Sequence, residues 1–321
     1  MTTTTKEPKY SEELVLRVNE LFHDLTTELY QAIHAEMGGT ERARWERIAD
    51  RFLHFQAPAM IADVGTGNGF VPLTIAGFLK KEDTFICSDI SSGMLEVAQK
   101  NIAAKQFPCR FEFVKIQSSA PLSLPFATGS LDALTMNSVL HHIRNTAEFI
   151  QEIDRVLKPG GVVVIGHEPN HCFRLQRFLW YNYLVLNAIL NPKAGAIHFT
   201  RRIGLYEGMM RLYFLFFPAK KRAASQMLER TNQTLIAEKL IVEPLVLEEI
   251  AEITDVRDLE GFVPDTLIPN YQLLQLESYD HLLVVNHNHP HNPFVKRYDQ
   301  LLARRYPGKG GTFFVALRKP L

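Results

Sequence analysis

Two kinds of hydrophobic periodicity divide the chain. Residues 11–37 place apolar side chains at every third or fourth position, which predicts an amphipathic helix with the stripe Leu14, Val18, Leu21, Phe22, Leu25, Leu29 and Ile33. Gly38 and Gly39 end this pattern, and Thr40 can cap a second helix that runs to about Leu53. Because one apolar stripe cannot form a core alone, residues 1–58 are predicted to be a helical cap on the next segment.

Residues 59–171 alternate between short β-branched runs and helical patterns. Strands are predicted at 59–64, 84–89, 111–116, 131–137 and 162–169, and Ser91 or Ser92 can cap the helix that follows the second strand. Strands joined through helices imply right-handed crossovers and a parallel sheet, hence an α/β fold. Residues 261–321 are predicted to complete the sheet with strands at 270–285 and 311–318 around a helix at 294–306.

Residues 172–260 interrupt this alternation with patterns that are helical, aromatic-rich and locally basic. The segment is predicted to be an α-helical lid or substrate insertion, which closes the site over an apolar acceptor. Two further interpretations stay open. Basic and aromatic helices can lie in a membrane interface, which makes 172–222 a candidate for transient membrane-surface contact. The same apolar surface could also serve a homodimer.

Charge, cysteine content and hydropathy indicate which binding partners and which cellular compartment to expect. The 35 lysines and arginines balance the 35 acids, so no global attraction to nucleic acid is expected. The three cysteines form no CxxC pair, and the polar N-terminus lacks the apolar core of a signal peptide, so a cytoplasmic protein is predicted. The longest apolar run, 178–190, contains two asparagines and is too short to span a bilayer.

Three glycines follow the first predicted strand, at positions 65, 67 and 69. Glycine permits unusual backbone angles and a close approach of ligand to backbone, and this turn is where doubly wound sheets hold nucleotide-like ligands. The spacing is GxGxG, and Phe70 stands where a dinucleotide-binding fingerprint has its third glycine. This difference argues against a dehydrogenase. Asp89 ends the second strand, where a carboxylate can accept both ribose hydroxyls.

Four motifs together resemble the class I S-adenosylmethionine (SAM) dependent methyltransferases of the type 11, small-molecule kind. They are "IADVGTGNG" (61–69), "SDISSGMLEVAQKN" (88–101), "LPFATGSLDALTMNSVLHHI" (124–143) and "LKPGG" (157–161). The resemblance implies a Rossmann-like sheet with an antiparallel last strand, SAM as cofactor and S-adenosyl-L-homocysteine as product.

The resemblance also implies roles for individual residues. Asp63 would hold the ammonium group of SAM, and the loop Gly65, Thr66, Gly67, Asn68 and Gly69 would line its methionine part. Asp89 would take the ribose, with Ile90 and Met94 beside the adenine. Gln117 and Ser118 stand where the family usually has Asp-Ala, and Gln117 could accept from the adenine amine. The sulfonium would be bordered by Asn137, Ser138 and Val139.

Candidate catalytic groups lie at the carboxyl end of the fifth strand, where His167 and Glu168 follow the glycine at 166. A neutral His167 could take a proton from the acceptor, and Glu168 could orient it or bind the acceptor. The alternative is that Glu168 caps a helix and His167 only packs, in which case His142 or His34 is the next candidate base. Tyr30 and His34, one turn apart, could also point into the site from the cap.

The predicted function is therefore methyl transfer from SAM to a small apolar or amphipathic acceptor, with the acceptor atom (O, N, S or C) left open. A non-catalytic SAM-fold protein and an enzyme acting on a peptide or protein are the alternatives. No metal is predicted, because His287, His289 and His291 alternate without an acid or cysteine nearby and Pro290 marks a loop.

Overall fold

The computed structural model describes residues 9–34, 38–56, 58–190, 218–256, 261–283 and 291–321. Within these ranges seven strands occur: β1 Met60–Val64, β2 Thr84–Asp89, β3 Arg110–Lys115, β4 Leu131–Asn137, β5 Leu157–Pro169, β6 Gln272–Tyr279 and β7 Thr312–Arg318. They form one sheet in the order β3-β2-β1-β4-β5-β7-β6.

The strand order reverses at β1, which pairs in parallel with β2 on one side and with β4 on the other. β3 and β5 extend the parallel part, and β7 runs antiparallel to both β5 and β6. In such a sheet the ligand crevice lies beyond the carboxyl ends of the strands at the reversal point. The predicted α/β class, with a mostly parallel sheet and an antiparallel last strand, is confirmed.

Ten helices accompany the strands in the described ranges: α1 Glu12–His34, α2 Gly38–Phe52, α3 Phe70–Ile75, α4 Ser92–Ala103, α5 Thr146–Val156, α6 His171–Leu175, α7 Arg177–Leu190, α8 Pro218–Ala237, α9 Leu247–Thr254 and α10 Pro293–Arg305. A short 3₁₀ turn, Leu140–His142, follows β4. Ser91 caps α4, because its hydroxyl accepts from the Met94 N–H at 3.0 Å, which is one of the two caps predicted.

The core lies on both faces of the sheet because side chains alternate along each strand. Ala133 of β4 belongs to a cluster with Trp45 of α2, whereas the next residue, Leu134, belongs to a cluster with Phe149 of α5. Trp45 and Phe149 are buried almost completely. Helices therefore cover both faces, as parallel strands require.

α1 packs against the helices α8 and α9. Its apolar residues Leu14, Val15 and Val18 contact Leu235 of α8 and Ile250 of α9.

One expectation, about the start of α2, was wrong. α2 begins at position 38, so Thr40 lies inside it rather than capping it. The two glycines before Thr40 can adopt right-handed helical angles, although they cost entropy there.

A separate apolar cluster joins α6 and α7 to α10. Among the described helices, none is both long and apolar enough to cross a bilayer. Of the predicted lid, 191–217 and 257–260 lie outside the described residues, as do His287 and His289. The division of the chain at residues 58, 171 and 260 stays a prediction.

Candidate functional site

The glycine loop between β1 and α3 has left-handed backbone angles at all three glycines. Gly65, Gly67 and Gly69 have φ values of 67°, 52° and 88°. A Cβ atom at Gly65 would lie 2.5 Å from Cγ2 of Val139, so that position also lacks room for a side chain. Glycine is required here both for conformation and for close packing against the residue that follows β4.

Asp89, at the end of β2, joins this loop to the start of α4. Its Oδ2 accepts from the Gly67 N–H at 2.8 Å, and its Oδ1 accepts from the Ser91 N–H at 2.9 Å. Burial raises the pKa of this carboxyl to about 6. Each carboxylate oxygen has more than one lone pair, so Asp89 can still accept from ribose hydroxyls on its open side.

A cavity opens between the glycine loop and α1, with a volume of about 740 Å³ including the space at its mouth. The residues implied for SAM that line it are Gly65, Gly67, Asp89, Ile90, Met94, Asn137, Ser138 and Val139. Apolar side chains complete the wall near Ile90 and Met94: Ile116, Leu122, Ile143 and Phe149. These features match the three parts of SAM. The glycine loop would hold its methionine part, the Asp89 carboxylate would accept from its two ribose hydroxyls, and the apolar side chains would contact its planar base. The residues present therefore fit this cofactor, which would supply a methyl group on a positively charged sulfur.

Three cavity residues come from α1, and the sequence did not single them out. Leu16, Asn19 and His23 lie at helical spacing on one face and line the cavity. The polar residues Asn19 and His23, beside the apolar stripe, are the signal that could have identified them. Burying a polar side chain on a packed helix face is unfavourable unless it has a hydrogen-bond partner or a ligand. The side chains of Tyr30 and His34, further along α1, lie outside the described ones.

Other implied SAM residues are placed away from the cavity in the described structure. Asp63 is 1% exposed beneath the loop, where its Oδ1 accepts from the Thr135 hydroxyl at 2.7 Å. Burial raises the pKa of Asp63 to about 7. Ser118 donates to Glu20 of α1, and Gln117 is exposed. Thr66, Asn68 and Gly69 support the loop without lining the cavity.

Glu168 has a different position from the one expected for an acceptor-binding group. Its Oε1 accepts from the backbone N–H groups of Val139 and Leu140 at 2.6 and 2.8 Å. Its Oε2 accepts from the His141 N–H at 3.1 Å and lies 2.9 Å from Nδ1 of that ring. Glu168 is fully buried, so it caps the 3₁₀ turn after β4 rather than orienting His167.

Ser138, two residues before this turn, is held by a different contact. Ser138 has φ 59°, an uncommon angle for a residue with a side chain, and its N–H donates to the Gly166 carbonyl at 2.9 Å. Strained backbone of this kind persists where the surroundings determine it, often beside a ligand. The expectation for Glu168 is thus corrected: it shapes the wall of the cavity from behind.

His167 faces the opposite direction, toward α2 and β6. Its Nδ1 lies 3.1 Å from the Tyr279 hydroxyl and 3.7 Å from Oε2 of Glu41. Burial lowers the pKa of His167, but the hydrogen bond and charge of Glu41 outweigh it, so the pKa is raised overall. Since His167 lies outside the described cavity lining, the structure does not support its predicted role as the base.

His142, the alternative base, does line the cavity. Its Nδ1 lies 2.5 Å from the Thr254 carbonyl oxygen and 3.5 Å from Oδ1 of Asp255. Both partners are acceptors, so Nδ1 carries the proton and Nε2 keeps a lone pair. Burial, with His141 and His23 nearby, holds the pKa of His142 well below its ordinary value. His142 is therefore a neutral imidazole of fixed tautomer.

Comparison with known proteins agrees with this geometry. Residues 62–165 match the family model for a methyltransferase domain. The demethylmenaquinone methyltransferase of Symbiobacterium thermophilum is 31% identical over 193 residues, which is 59% of this chain and 75% of that protein. The ubiquinone/menaquinone biosynthesis C-methyltransferase UbiE of Geotalea daltonii is 28% identical over 170 residues, covering 53% of this chain and 70% of the relative.

Among solved structures, phosphoethanolamine N-methyltransferase 2 of Haemonchus contortus in complex with SAM is 17% identical to this chain, with a TM-score of 0.44. The alignment covers 93% of this chain and 57% of that one. The extent and identity of the match to the Symbiobacterium protein confirm the family and the cofactor expected from the sequence motifs. The chain belongs to the class I SAM-dependent methyltransferases, and it is an enzyme that uses SAM as its methyl donor.

Proposed function

We propose that the enzyme methylates a ring carbon of a small quinone-type molecule, which it binds in the reduced, hydroquinone form. The matched Symbiobacterium protein is a demethylmenaquinone methyltransferase, and the Geotalea protein is a C-methyltransferase of ubiquinone and menaquinone biosynthesis. A hydroquinone is an apolar ring with hydroxyl groups, which is the small amphipathic acceptor that the sequence predicts.

The observation that carries the proposal is the neutral His142 in a largely apolar cavity. Leu16 and Val139 supply apolar walls on this side, and His23 lies close to His142, with ring centroids 5.6 Å apart. A flat apolar ring suits such walls, and its hydroxyl proton needs an acceptor. The Nε2 lone pair of His142 is that acceptor, because Thr254 already holds the proton of Nδ1.

Proton removal makes the ring carbon reactive. When His142 takes the hydroxyl proton, the O–H electron pair spreads into the ring and enriches the neighbouring carbon. That carbon forms a bond to the methyl group, while the electrons of the carbon–sulfur bond go to sulfur. The ring then releases its own C–H proton to solvent and regains aromaticity, and protonated His142 returns the first proton to the ring oxygen. Apolar walls that exclude water and hold the ring in line with the methyl supply much of the remaining rate.

The test uses a 1,4-naphthohydroquinone with a short prenyl chain, kept reduced with dithionite. Incubation with the protein and SAM should yield S-adenosylhomocysteine and a product heavier by one methylene, measured by mass spectrometry. The oxidised naphthoquinone should not react, because it has no hydroxyl proton to give. Methylation of a peptide mixture but not of the hydroquinone would contradict the proposal.

Two histidine variants locate the base. His142→Gln should lower kcat by roughly 100-fold or more while the Kd for SAM stays unchanged in calorimetry. His167→Gln is the matched control and should retain kcat, since His167 faces Glu41 and Tyr279 instead of the cavity. The opposite pattern, with kcat lost only in His167→Gln, would restore the role expected from the sequence.

A further inference from the structure

α7 is apolar on both of its faces, and in the part of the chain that the structure describes one face packs in the cluster with α6 and α10. Leu179 on the inner face is fully buried in the cluster with α10. On the outer face, Phe178, Tyr181, Val185 and Ile189 follow one another at intervals of three or four residues and are 51%, 63%, 57% and 66% exposed. A row of this kind on the surface marks an interaction site more often than a scattered apolar residue does.

α10 continues this surface. The Tyr298 hydroxyl of α10 donates to Oδ1 of Asn182 in α7 at 3.0 Å, and the rings of Phe178 and Tyr306 stack with centroids 5.7 Å apart. Two residues of α10, Phe294 and Leu301, are 62% and 54% exposed and lie seven positions apart, on one helix face. We call the outer face of α7 together with Phe294 and Leu301 the docking face.

Charge is segregated around the docking face. Residues 171–190 and 293–309 contain seven lysines and arginines, namely Arg174, Arg177, Lys296, Arg297, Arg304, Arg305 and Lys309. The same ranges contain one acid, Asp299, whose Oδ1 accepts from the Leu282 N–H at 3.1 Å. The whole chain has a formal net charge of zero. The positive charge beside the docking face is therefore a local feature, and it is complementary to an anionic surface.

The docking face lies at the same end of the sheet as the cavity. α6, which leads into α7, begins at His171, directly after the carboxyl end of β5. α10 leads to the start of β7, where Thr312 pairs with Pro169 at that same end. Both helices are thus anchored beside the end of β5 that carries Glu168, the residue that shapes the cavity wall.

We propose that the docking face lies in the interface of a membrane that contains anionic lipid. Its aromatic and aliphatic side chains enter the boundary between headgroups and acyl chains, and the surrounding arginines and lysines contact lipid phosphates. Attachment is peripheral. The inference rests on the proposed function, because an apolar quinone-type acceptor is concentrated in the bilayer, and docking brings the cavity end of the enzyme to it.

Sedimentation of the full chain with vesicles tests the docking face directly. Binding is expected to vesicles of phosphatidylcholine with phosphatidylglycerol, to weaken with added salt, and to be poor with phosphatidylcholine alone. The double variant Val185→Asp, Ile189→Asp should bind the anionic vesicles about tenfold more weakly or worse, because two charges enter the apolar row. Val242→Asp is the matched control, since Val242 is 95% exposed in the turn after α8, and it should bind like the wild type.

Three outcomes would overturn the docking face. The first is equal vesicle binding by the wild type and the double variant. The second is no binding by either protein while thermal melting shows both folded. The third is a wild-type dimer in light scattering that the double variant converts to a monomer, which would assign the surface to a second copy of the chain.

Activity separates this inference from the proposed function. The double variant should keep turnover on a water-soluble short-chain hydroquinone and lose it on a long-chain hydroquinone embedded in vesicles. If the wild type methylates neither hydroquinone but still binds anionic vesicles through these residues, the proposed acceptor is wrong and the docking face stands. If both proteins act equally on the embedded acceptor, the docking face is wrong and the proposed function stands.

Discussion

Replacing Glu168 with glutamine distinguishes a structural carboxylate from a catalytic one. In the wild type, the two oxygens accept three backbone N–H groups, from Val139, Leu140 and His141, at 2.6–3.1 Å. Glutamine has one carbonyl oxygen, which can keep the bonds to Val139 and Leu140. Its NH₂ group would then face the N–H of His141, and two donors cannot pair.

The loss of stability expected for Glu168→Gln follows from these contacts. A hydrogen bond to a charged group contributes about 1.5–3 kcal/mol, and a neutral one about 0.5–1.5 kcal/mol. Glu168→Gln loses one charge-assisted bond and weakens two others, while a neutral amide is cheaper to bury than a carboxylate. A net loss of about 3 kcal/mol in the free energy of unfolding is consistent with breaking a fully buried charged contact. In a chain of 321 residues that lowers Tm by roughly 4–5 °C.

Thermal melting and calorimetry with SAM measure the two consequences. The Kd for SAM should rise by about tenfold, the equivalent of about 1.4 kcal/mol, because the hydrogen bond that holds Val139 at the cavity wall is weakened. Glu96→Gln, on the exposed side of α4, is the control and should change neither quantity. If Glu168→Gln kept Tm within about 1 °C and the same Kd but lost kcat, the carboxylate would be catalytic and the capping argument refuted.

Three further results are expected. Burial raises the pKa of Asp89 to about 6, and only the ionised carboxylate accepts both ribose hydroxyls. The Kd for SAM should therefore rise below pH 6, by up to about tenfold per pH unit. A constant Kd down to about pH 5 would contradict this. Asp24→Ala removes the acceptor for Ser91 Oγ at 2.6 Å and should loosen α1, seen as faster hydrogen exchange in α1 and weaker SAM binding. Trp45→Phe removes the indole N–H that donates to Oδ1 of Asn137 at 3.0 Å and should lower kcat/KM by up to about tenfold. Tm should also fall, because Trp45 is fully buried and the smaller ring leaves a cavity. An unchanged kcat/KM would show that Asn137 needs no such hydrogen bond.

Local features of the sequence determined the parts of this protein that depend on neighbours along the chain. The strands of the parallel sheet, the left-handed turn at Gly65, Gly67 and Gly69, the cap at Ser91 and the place of Asp89 all follow from side-chain periodicity and backbone preference. These rules act over a few residues, so they can be applied to the sequence without knowledge of the fold.

Tertiary structure decided which way the side chains beyond the strands face. His167 and His142 were both candidates by position, but Tyr279 and Glu41 draw the first away from the cavity, and Thr254 fixes the second toward it. Each of these partners lies about a hundred or more residues away along the chain. Asn19 and His23 likewise reach the cavity only because α1 packs across it. No periodicity encodes such pairings, since they arise when separate elements dock and each buried polar group must find a partner.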